Sequence, residues 1–208
     1  MNLPNKLTMF RIILALVVIF ILHFPFDAVG IEMPSIFVNE LLVINIKYLI
    51  AGVLFIVASV TDFFDGKIAR KRGEVTEFGR VADDIADKLL SNSVLIILAC
   101  TGFINSLIAI VIVSRDFIVE AIKMMAASHG QVHSSTKLDK ARSYVLTLGL
   151  TLTLFYNLPF ELMNLKVSNF LLVVASVLAI ASGVEYFNTY KKIIKKSLKS
   201  DVVEKLDI

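Results

Sequence analysis

The stretch that decides the fold is YLIAGVLFIVASVTDFFDGKIAR, residues 48–70. Its first part, through Val60, carries no charged residue and is long enough to form most of a membrane-crossing helix. The following ten residues contain two aspartates, a glycine and two basic residues. Charged side chains are costly inside a bilayer and are commonly functional there. The stretch therefore predicts a membrane helix that ends in functional carboxylates.

The composition agrees with a membrane protein. Of the 208 residues, 57% are hydrophobic, which is more apolar surface than one small soluble domain can bury. The single cysteine, Cys100, excludes an intramolecular disulfide. The first apolar run is followed by HFPFDAVG, which has no clear small-x-small cleavage pattern, so we interpret it as an uncleaved span.

Six stretches are long and apolar enough to predict an all-α fold with six transmembrane helices. They are residues 7–26, 46–64, 84–103, 105–126, 141–158 and 168–189. The connections alternate in charge: 66–80, 127–142 and the C-terminal tail are rich in Lys and Arg, and the other three are not. Basic connections belong in the cytoplasm. This predicts a multi-pass protein of the cell (inner, cytoplasmic) membrane, with both termini in the cytoplasm and no nucleic-acid partner.

The sequence predicts one membrane domain, 1–190, and a tail, 191–208. The tail KKIIKKSLKSDVVEKL mixes apolar and basic residues, as does a helix that lies on an anionic leaflet. A solvated helix is the alternative.

The predicted topology places four aspartates at one depth. Asp62 and Asp65 end the second helix, and Asp83 and Asp87 begin the third. Their spacings, i,i+3 and i,i+4, put each pair on one helical face. Asp84 is rotated by about 100° from Asp83 and need not join them.

Four converging carboxylates would repel one another unless a cation neutralised them. For two charges roughly 6 Å apart, this repulsion is about 3 kcal/mol. Hard oxygen ligands favour Mg²⁺, Mn²⁺ or Ca²⁺. The sequence thus predicts a metal site that faces the cytoplasm. The alternative is that the aspartates form ordinary ion pairs with Arg70, Arg72 and Lys88.

The full spacing is more specific. It runs Asp-x2-Asp-Gly-x2-Ala-Arg-x8-Gly-x3-Asp-x3-Asp from residue 62 to residue 87. This segment resembles, at all eight fixed positions, the signature of the CDP-alcohol phosphotransferase family. The resemblance implies a six-helix membrane enzyme, commonly a homodimer, that uses Mg²⁺ or Mn²⁺. It implies metal ligation by Asp62, Asp65 and Asp83, with Asp87 as the general base and a possible further ligand. It also implies contacts to the CDP-linked lipid from Gly66, Ala69, Arg70 and Gly79.

Three further segments resemble bacterial phosphatidylglycerophosphate synthases, a subfamily that joins CDP-diacylglycerol to glycerol 3-phosphate. They are NLPNKLTMFRI (2–12), SRDFIVEAIK (114–123) and KLDKARS (137–143). An anionic acceptor needs cations, and guanidinium groups bind phosphate in a bidentate manner. Arg115, Lys140 and Arg142 are the predicted acceptor-phosphate ligands. The alternative for Arg115 is an ion pair with an acid inside the bundle.

Weaker site candidates are Thr8, Arg11, Lys123 and Lys137. Thr8 and Arg11 would border the headgroup site; alternatively, Arg11 extends towards lipid phosphate at the interface. Other acceptors remain open, namely phosphatidylglycerol, inositol phosphate and serine. A cation- or proton-coupled carrier is the alternative from another class, although a carrier would more usually show broken helices and an inverted repeat.

Overall fold

In the computed structural model of the protein, six α-helices carry most of the fold of the described residues. The structure describes residues 3–31, 33–38, 42–72, 77–128 and 136–204. Within these ranges, side chains are described except at residues 3–6, 27–28, 38, 42, 63–72, 77–78, 80–81 and 192–204.

The helices are α1 Leu3–His23, α2 Ile46–Arg72, α3 Glu77–Cys100, α4 Ser106–Ser128, α5 Lys137–Leu154 and α6 Val167–Glu204. Short 3-10 helices cover Phe26–Val29 and Phe160–Met163. Each predicted apolar span overlaps one of the six helices, so the predicted all-α class is confirmed.

The helices extend beyond the apolar stretches at their charged ends. The second predicted span ends at residue 64, but α2 continues to Arg72, and α3 begins at Glu77 rather than at residue 84. Helical hydrogen bonds form within the backbone, so a helix needs no apolar side chains to continue past an apolar stretch. The predicted tail at 191–208 begins inside α6, which runs without interruption to Glu204.

A β-hairpin occupies part of the segment that was predicted as a connection. Strands β1 (Ser35–Val38) and β2 (Leu42–Asn45) pair antiparallel, with Ser35 opposite Asn45 and Val38 opposite Leu42. The residues SIFV and LVIN are rich in β-branched and aromatic side chains, which favour strands. Four-residue runs of this kind are too short to be separated from an irregular loop by hydrophobic pattern.

The chain divides into two units. The first comprises Met1–Ser106 and Thr147–Phe170, and the second comprises Leu107–Leu146 and Leu171–Ile208. In the first unit, α1 packs against both α2 and α3. Four alanines in its core are fully buried, and their small side chains allow the helices to approach closely. They are Ala15, Ala51, Ala58 and Ala86.

A buried asparagine organises the loop after α5, also in the first unit. Asn157 Nδ2 donates to Glu161 Oε2 (2.9 Å) and to the Leu165 carbonyl (2.6 Å), and Asn157 Oδ1 accepts from the Ser168 backbone N–H (2.9 Å). The last contact satisfies an N–H in the first turn of α6, which has no partner within the helix. One side chain thus fixes the start of α6.

In the second unit, polar contacts connect α4, the first part of α5 and α6. Arg115 on α4 bonds Ser182 on α6 at 2.8 Å and Asp139 on α5 at 2.8 Å. Gly183 follows on α6, and a Cβ there would lie 3.4 Å from Arg115 Cγ, which is an ordinary contact distance.

One helical stretch within the described residues, Val167–Lys191, has the length and apolar composition of a membrane span. A shorter apolar stretch covers Leu7–His23.

Candidate active site

The first cluster lies in the first unit, where α2 and α3 each carry an aspartate to the same point. Asp62 Oδ1 lies 2.6 Å from Arg11 Nη1, and Asp83 Oδ1 lies 2.7 Å from the same nitrogen. Two carboxylates from different helices therefore converge on one cationic atom of α1. The predicted convergence of α2 and α3 holds for this pair.

Arg11 is the best-buried member of this cluster. Its side chain is 1% exposed, whereas those of Asp62 and Asp83 are 40% and 43% exposed. Thr8, one helical turn earlier on α1, is also buried. Arg11 thus lies next to two acids inside the unit and does not extend along its surface. Sequence reasoning made Arg11 only a weak site candidate, because its two partners are more than 50 residues away in the chain.

The donor atoms of this cluster suit a hard divalent cation. Two carboxylate oxygens already share one cationic neighbour, and oxygen ligands are those that Mg²⁺ and Mn²⁺ prefer. Among the side chains that the structure describes, no group of three or more His, Cys, Asp or Glu residues is close enough to hold a metal. The described side chains therefore offer a cation two carboxylates, those of Asp62 and Asp83. The predicted ligand Asp65 lies on α2, and its side chain is outside the described part.

The other two aspartates of α3 occupy different positions. Asp87 is partly buried one turn after Asp83, and its backbone carbonyl accepts a hydrogen bond from Ser91 at 2.7 Å. Asp84 pairs with Lys88 on the same helix at 2.9 Å. The expected rotation of Asp84 away from Asp83 agrees with this separate pairing.

The predicted donor-binding residues are only partly covered. Gly66, Ala69 and Arg70 belong to α2, but their side chains lie outside the described residues. Gly79 lies in the first turn of α3, one turn before Asp83.

The second cluster lies in the second unit and contains two buried arginines and two aspartates. Arg115 contacts Asp116 Oδ1 at 3.1 Å and Asp139 Oδ1 at 2.8 Å. Arg142 contacts the same two oxygens, at 3.1 Å and 3.3 Å. Each arginine thus contacts each aspartate, and the four charges cancel. The sequence predicted Arg115, Lys140 and Arg142 as phosphate ligands in one cavity, with an ion pair to an acid as the alternative for Arg115. The structure shows that ion pair, and the acids, which the sequence did not single out, are Asp116 and Asp139.

The positive charges of the two arginines stabilise the ionised form of Asp139. Burial alone would raise the pKa of the Asp139 carboxyl, but the guanidinium groups of Arg115 and Arg142 outweigh burial and hold that pKa below its ordinary value. Tyr186 of α6, fully buried, donates from its hydroxyl to Asp139 Oδ2 at 3.2 Å. The Arg115 guanidinium lies 5.5 Å from the Tyr186 ring centroid, within cation–π range.

Both arginines retain unused donors. Within the described part of the chain, Arg115 Nε and Arg142 Nη1 are buried and have no hydrogen-bond partner. Leaving a buried charged donor unsatisfied is costly. These two groups therefore mark a place where an acceptor oxygen would be bound favourably.

The three predicted lysines lie around this network to different extents. Lys137 and Lys140 are exposed in the first turn of α5. Lys123 is partly buried; its ammonium lies 3.9 Å from Glu120 and 5.9 Å from the Tyr186 ring centroid. The structure thus brings Arg115 and Arg142 together in the buried network, whereas Lys140 is at the surface.

Four members of this cluster were missed by sequence reasoning: Asp116, Asp139, Ser182 and Tyr186. A signal existed for Asp139, which precedes Arg142 by three residues, and for Asp116, which is adjacent to Arg115 in an otherwise apolar run. Ser182 and Tyr186 lie on one face of α6 at i,i+4 spacing, but neither is charged, so the sequence contains no signal that marks them as site residues.

Comparison with known proteins shows the family of the chain. Residues 1–182 match the sequence profile of the CDP-alcohol phosphatidyltransferase family. The chain belongs to that family. The charged residues of both clusters and Ser182 lie within the matched residues, and Tyr186 lies four residues beyond them.

Individual members of the CDP-alcohol phosphatidyltransferase family are similar over nearly their whole length. A CDP-diacylglycerol--glycerol-3-phosphate 3-phosphatidyltransferase of Bacillus subtilis is 37% identical over 94% of this chain and 98% of its own length. Proteins of the same name are 33% identical in Rickettsia bellii, over 92% of this chain and 96% of theirs, and 31% identical in Rickettsia felis, over 92% and 96%.

Proposed function

We propose that this chain transfers the phosphatidyl group of CDP-diacylglycerol to glycerol 3-phosphate, giving phosphatidylglycerophosphate and CMP in phospholipid biosynthesis. The observation that carries this proposal is the similarity to the Bacillus subtilis phosphatidyltransferase, which spans nearly the full length of both chains. The two charged clusters support it, because the reaction joins a pyrophosphate donor to an anionic acceptor.

We propose that the carboxylates of Asp62, Asp65, Asp83 and Asp87 hold Mg²⁺ or Mn²⁺. The convergence of Asp62 and Asp83 on one cationic atom supports the first pair. When bound, the metal would neutralise charge on the donor pyrophosphate as CMP leaves. Gly66, Ala69, Arg70 and Gly79 are the proposed contacts to the CDP-linked lipid.

Asp87 is the proposed general base. A carboxylate within hydrogen-bond reach of the acceptor can take the proton from its hydroxyl as the oxygen attacks phosphorus. Asp87 lies one turn beyond Asp83 on α3 and is only partly buried, so it combines a position next to the acid pair with access to solvent. A bond forms between the acceptor oxygen and the phosphorus of the phosphatidyl group. The bond between that phosphorus and the bridging oxygen of the pyrophosphate breaks, and CMP leaves.

The acceptor phosphate is the proposed ligand of the arginine network. Arg115 Nε and Arg142 Nη1 are buried donors that a phosphate oxygen would satisfy. Because Asp116 and Asp139 cancel the charge of both arginines, further positive charge must come from elsewhere. Lys140, supported by Lys123 and Lys137, is the proposed source.

We propose a membrane protein with six transmembrane helices. Both termini and the active site would face the cytoplasm, and the protein would reside in the cell (inner) membrane as a homodimer. Large apolar side chains on the outer faces of several helices support contact with lipid, and a soluble protein rarely exposes so many. Examples are Phe20, Phe117, Phe170 and Val177, all more than half exposed. The tail would continue α6 on the cytoplasmic side.

The test is release of CMP by the purified protein in detergent. CDP-diacylglycerol is supplied with Mg²⁺ or with EDTA, and glycerol 3-phosphate, inositol phosphate, serine and phosphatidylglycerol are added separately. We expect release only with metal and with glycerol 3-phosphate. Release with a different acceptor would retain the reaction class and reject the proposed acceptor. No release with any acceptor would reject the phosphatidyltransferase and favour the carrier alternative.

A further inference from the structure

Arg11 occupies the point at which the acid pair would bind metal. One nitrogen, Nη1, lies 2.6 Å from Asp62 Oδ1 and 2.7 Å from Asp83 Oδ1. An ordinary surface ion pair would leave one partner mobile in water, but here the arginine is 1% exposed. The contact therefore holds two helices, α2 and α3, against a fixed charge on α1.

A guanidinium and a divalent cation cannot use the same carboxylate oxygens without cost. The guanidinium remains protonated at any physiological pH, so it cannot give up its charge when a metal arrives. Like charges in contact with the same carboxylate oxygens repel each other strongly at the low effective dielectric of a protein. Metal binding must therefore displace Nη1 from at least one carboxylate or bear this repulsion.

We infer that Arg11 is an internal counter-ion of Asp62 and Asp83 that competes with the divalent cation for their oxygens. In the absence of metal, it neutralises the pair and keeps α2 and α3 at their working separation. The inference rests on the proposed function only in assigning the cation to these two aspartates. Arg11 is a positioning residue in this role, because it acts through the carboxylates.

The competition would give the protein a low affinity for metal in the absence of the lipid donor. Arg11 would be displaced at a net gain only when pyrophosphate oxygens supply further ligands to the same cation. Metal and donor would then bind with positive coupling. A simple orienting role for Arg11 predicts the opposite effect on metal affinity, since removing an orienting partner weakens a metal site.

The test is direct binding of Mn²⁺, measured by electron paramagnetic resonance of the free ion, with full-length protein in detergent and no lipid substrate. Arg11→Met removes the charge and keeps much of the side-chain volume. We expect Arg11→Met to bind Mn²⁺ roughly tenfold more tightly than the wild type, and Arg11→Lys to remain close to the wild type. Equal or weaker binding by Arg11→Met, or no binding by either protein, would overturn the inference.

Arg142→Met is the matched control. It removes an arginine of similar burial that contacts Asp116 and Asp139 instead. Its Mn²⁺ affinity should equal that of the wild type; a tenfold gain here as well would show that net charge alone sets the affinity and would overturn the inference. If Arg11→Met does not yield folded protein, Arg11→Gln is measured against the same criteria.

Mn²⁺ binding separates this inference from the proposed function. Tighter binding by Arg11→Met together with no CMP release from the wild type would reject the phosphatidyltransferase and retain the competition. CMP release by the wild type together with weakened Mn²⁺ binding by Arg11→Met would retain the phosphatidyltransferase and reject the competition.

Discussion

The hydroxyl of Tyr186 on α6 donates a hydrogen bond to Asp139 on α5, with an oxygen–oxygen distance of 3.2 Å. The same carboxylate, through its other oxygen, accepts from both arginines of the buried network. Tyr186 also accepts a hydrogen bond from the Thr136 backbone N–H at 3.4 Å. Tyr186 thus orients Asp139, and Asp139 in turn holds Arg115 and Arg142, the two proposed phosphate ligands.

Replacing Tyr186 by Phe should therefore weaken acceptor binding without removing a phosphate contact. A hydrogen bond contributes roughly 1 kcal/mol net, which corresponds to about a fivefold rise in KM for glycerol 3-phosphate. We expect kcat and KM for CDP-diacylglycerol to change by less than about twofold. Tyr144→Phe, which alters an exposed tyrosine of α5, is the control. Equal rises in both KM values would indicate a general structural defect instead.

Arg142 should affect the acceptor more strongly. Arg142→Ala removes a charged hydrogen-bond donor, and such bonds contribute roughly 1.5–3 kcal/mol. We expect KM for glycerol 3-phosphate to rise about 10- to 100-fold, with a much smaller change for CDP-diacylglycerol. Steady-state CMP release at varied concentrations of each substrate measures both. A larger rise for the lipid donor would contradict the placement of the acceptor phosphate.

The same substitution leaves Asp116 without one of its cations. Breaking a buried ion pair from one side costs about 3–5 kcal/mol, so part of the effect could come from lower stability. The double variant Arg142→Ala, Asp116→Asn removes the uncompensated charge. It should recover thermal stability relative to Arg142→Ala while the acceptor KM stays high.

Much of this arrangement could be predicted from local sequence. Helix number follows from apolar run length, and the i,i+3 and i,i+4 spacings of the aspartates place each pair on one helical face. The position of Asp84 follows from the same helical repeat, which rotates it away from Asp83 and places it next to Lys88.

The remaining features depend on contacts that sequence spacing does not encode. Arg11 meets Asp83 from 72 residues away, and Arg115 meets Ser182 from 67 residues away. No periodicity within one helix can reveal such pairs. The β-hairpin after α1 was missed for a different reason, since each strand is only four residues long.

Asn157 should govern stability and leave the acceptor site intact. Its amide makes three hydrogen bonds in the loop after α5 and is 5% exposed. At roughly 1 kcal/mol each, Asn157→Ala should lower the free energy of unfolding by about 3 kcal/mol. The residue also has a φ of 57°, which asparagine tolerates better than alanine. Thermal unfolding in detergent is the measurement. Asn169→Ala, at an exposed neighbouring position, should change stability by less than about 0.5 kcal/mol.

Asp87 and Asp62 should fail in different ways. If Asp87 accepts the proton of the acceptor hydroxyl, Asp87→Asn keeps the shape of the side chain but lacks the base, and kcat should fall about 10²- to 10⁴-fold. Mn²⁺ binding by this variant should be reduced less than by Asp62→Asn, because Asp62 belongs to the carboxylate pair that shares one cationic neighbour. CMP release and Mn²⁺ titration on the same preparations compare the two. Similar mild losses of activity in both variants would contradict the division of roles. Loss of a general base should lower kcat, whereas loss of a metal ligand should also lower the affinity for Mn²⁺.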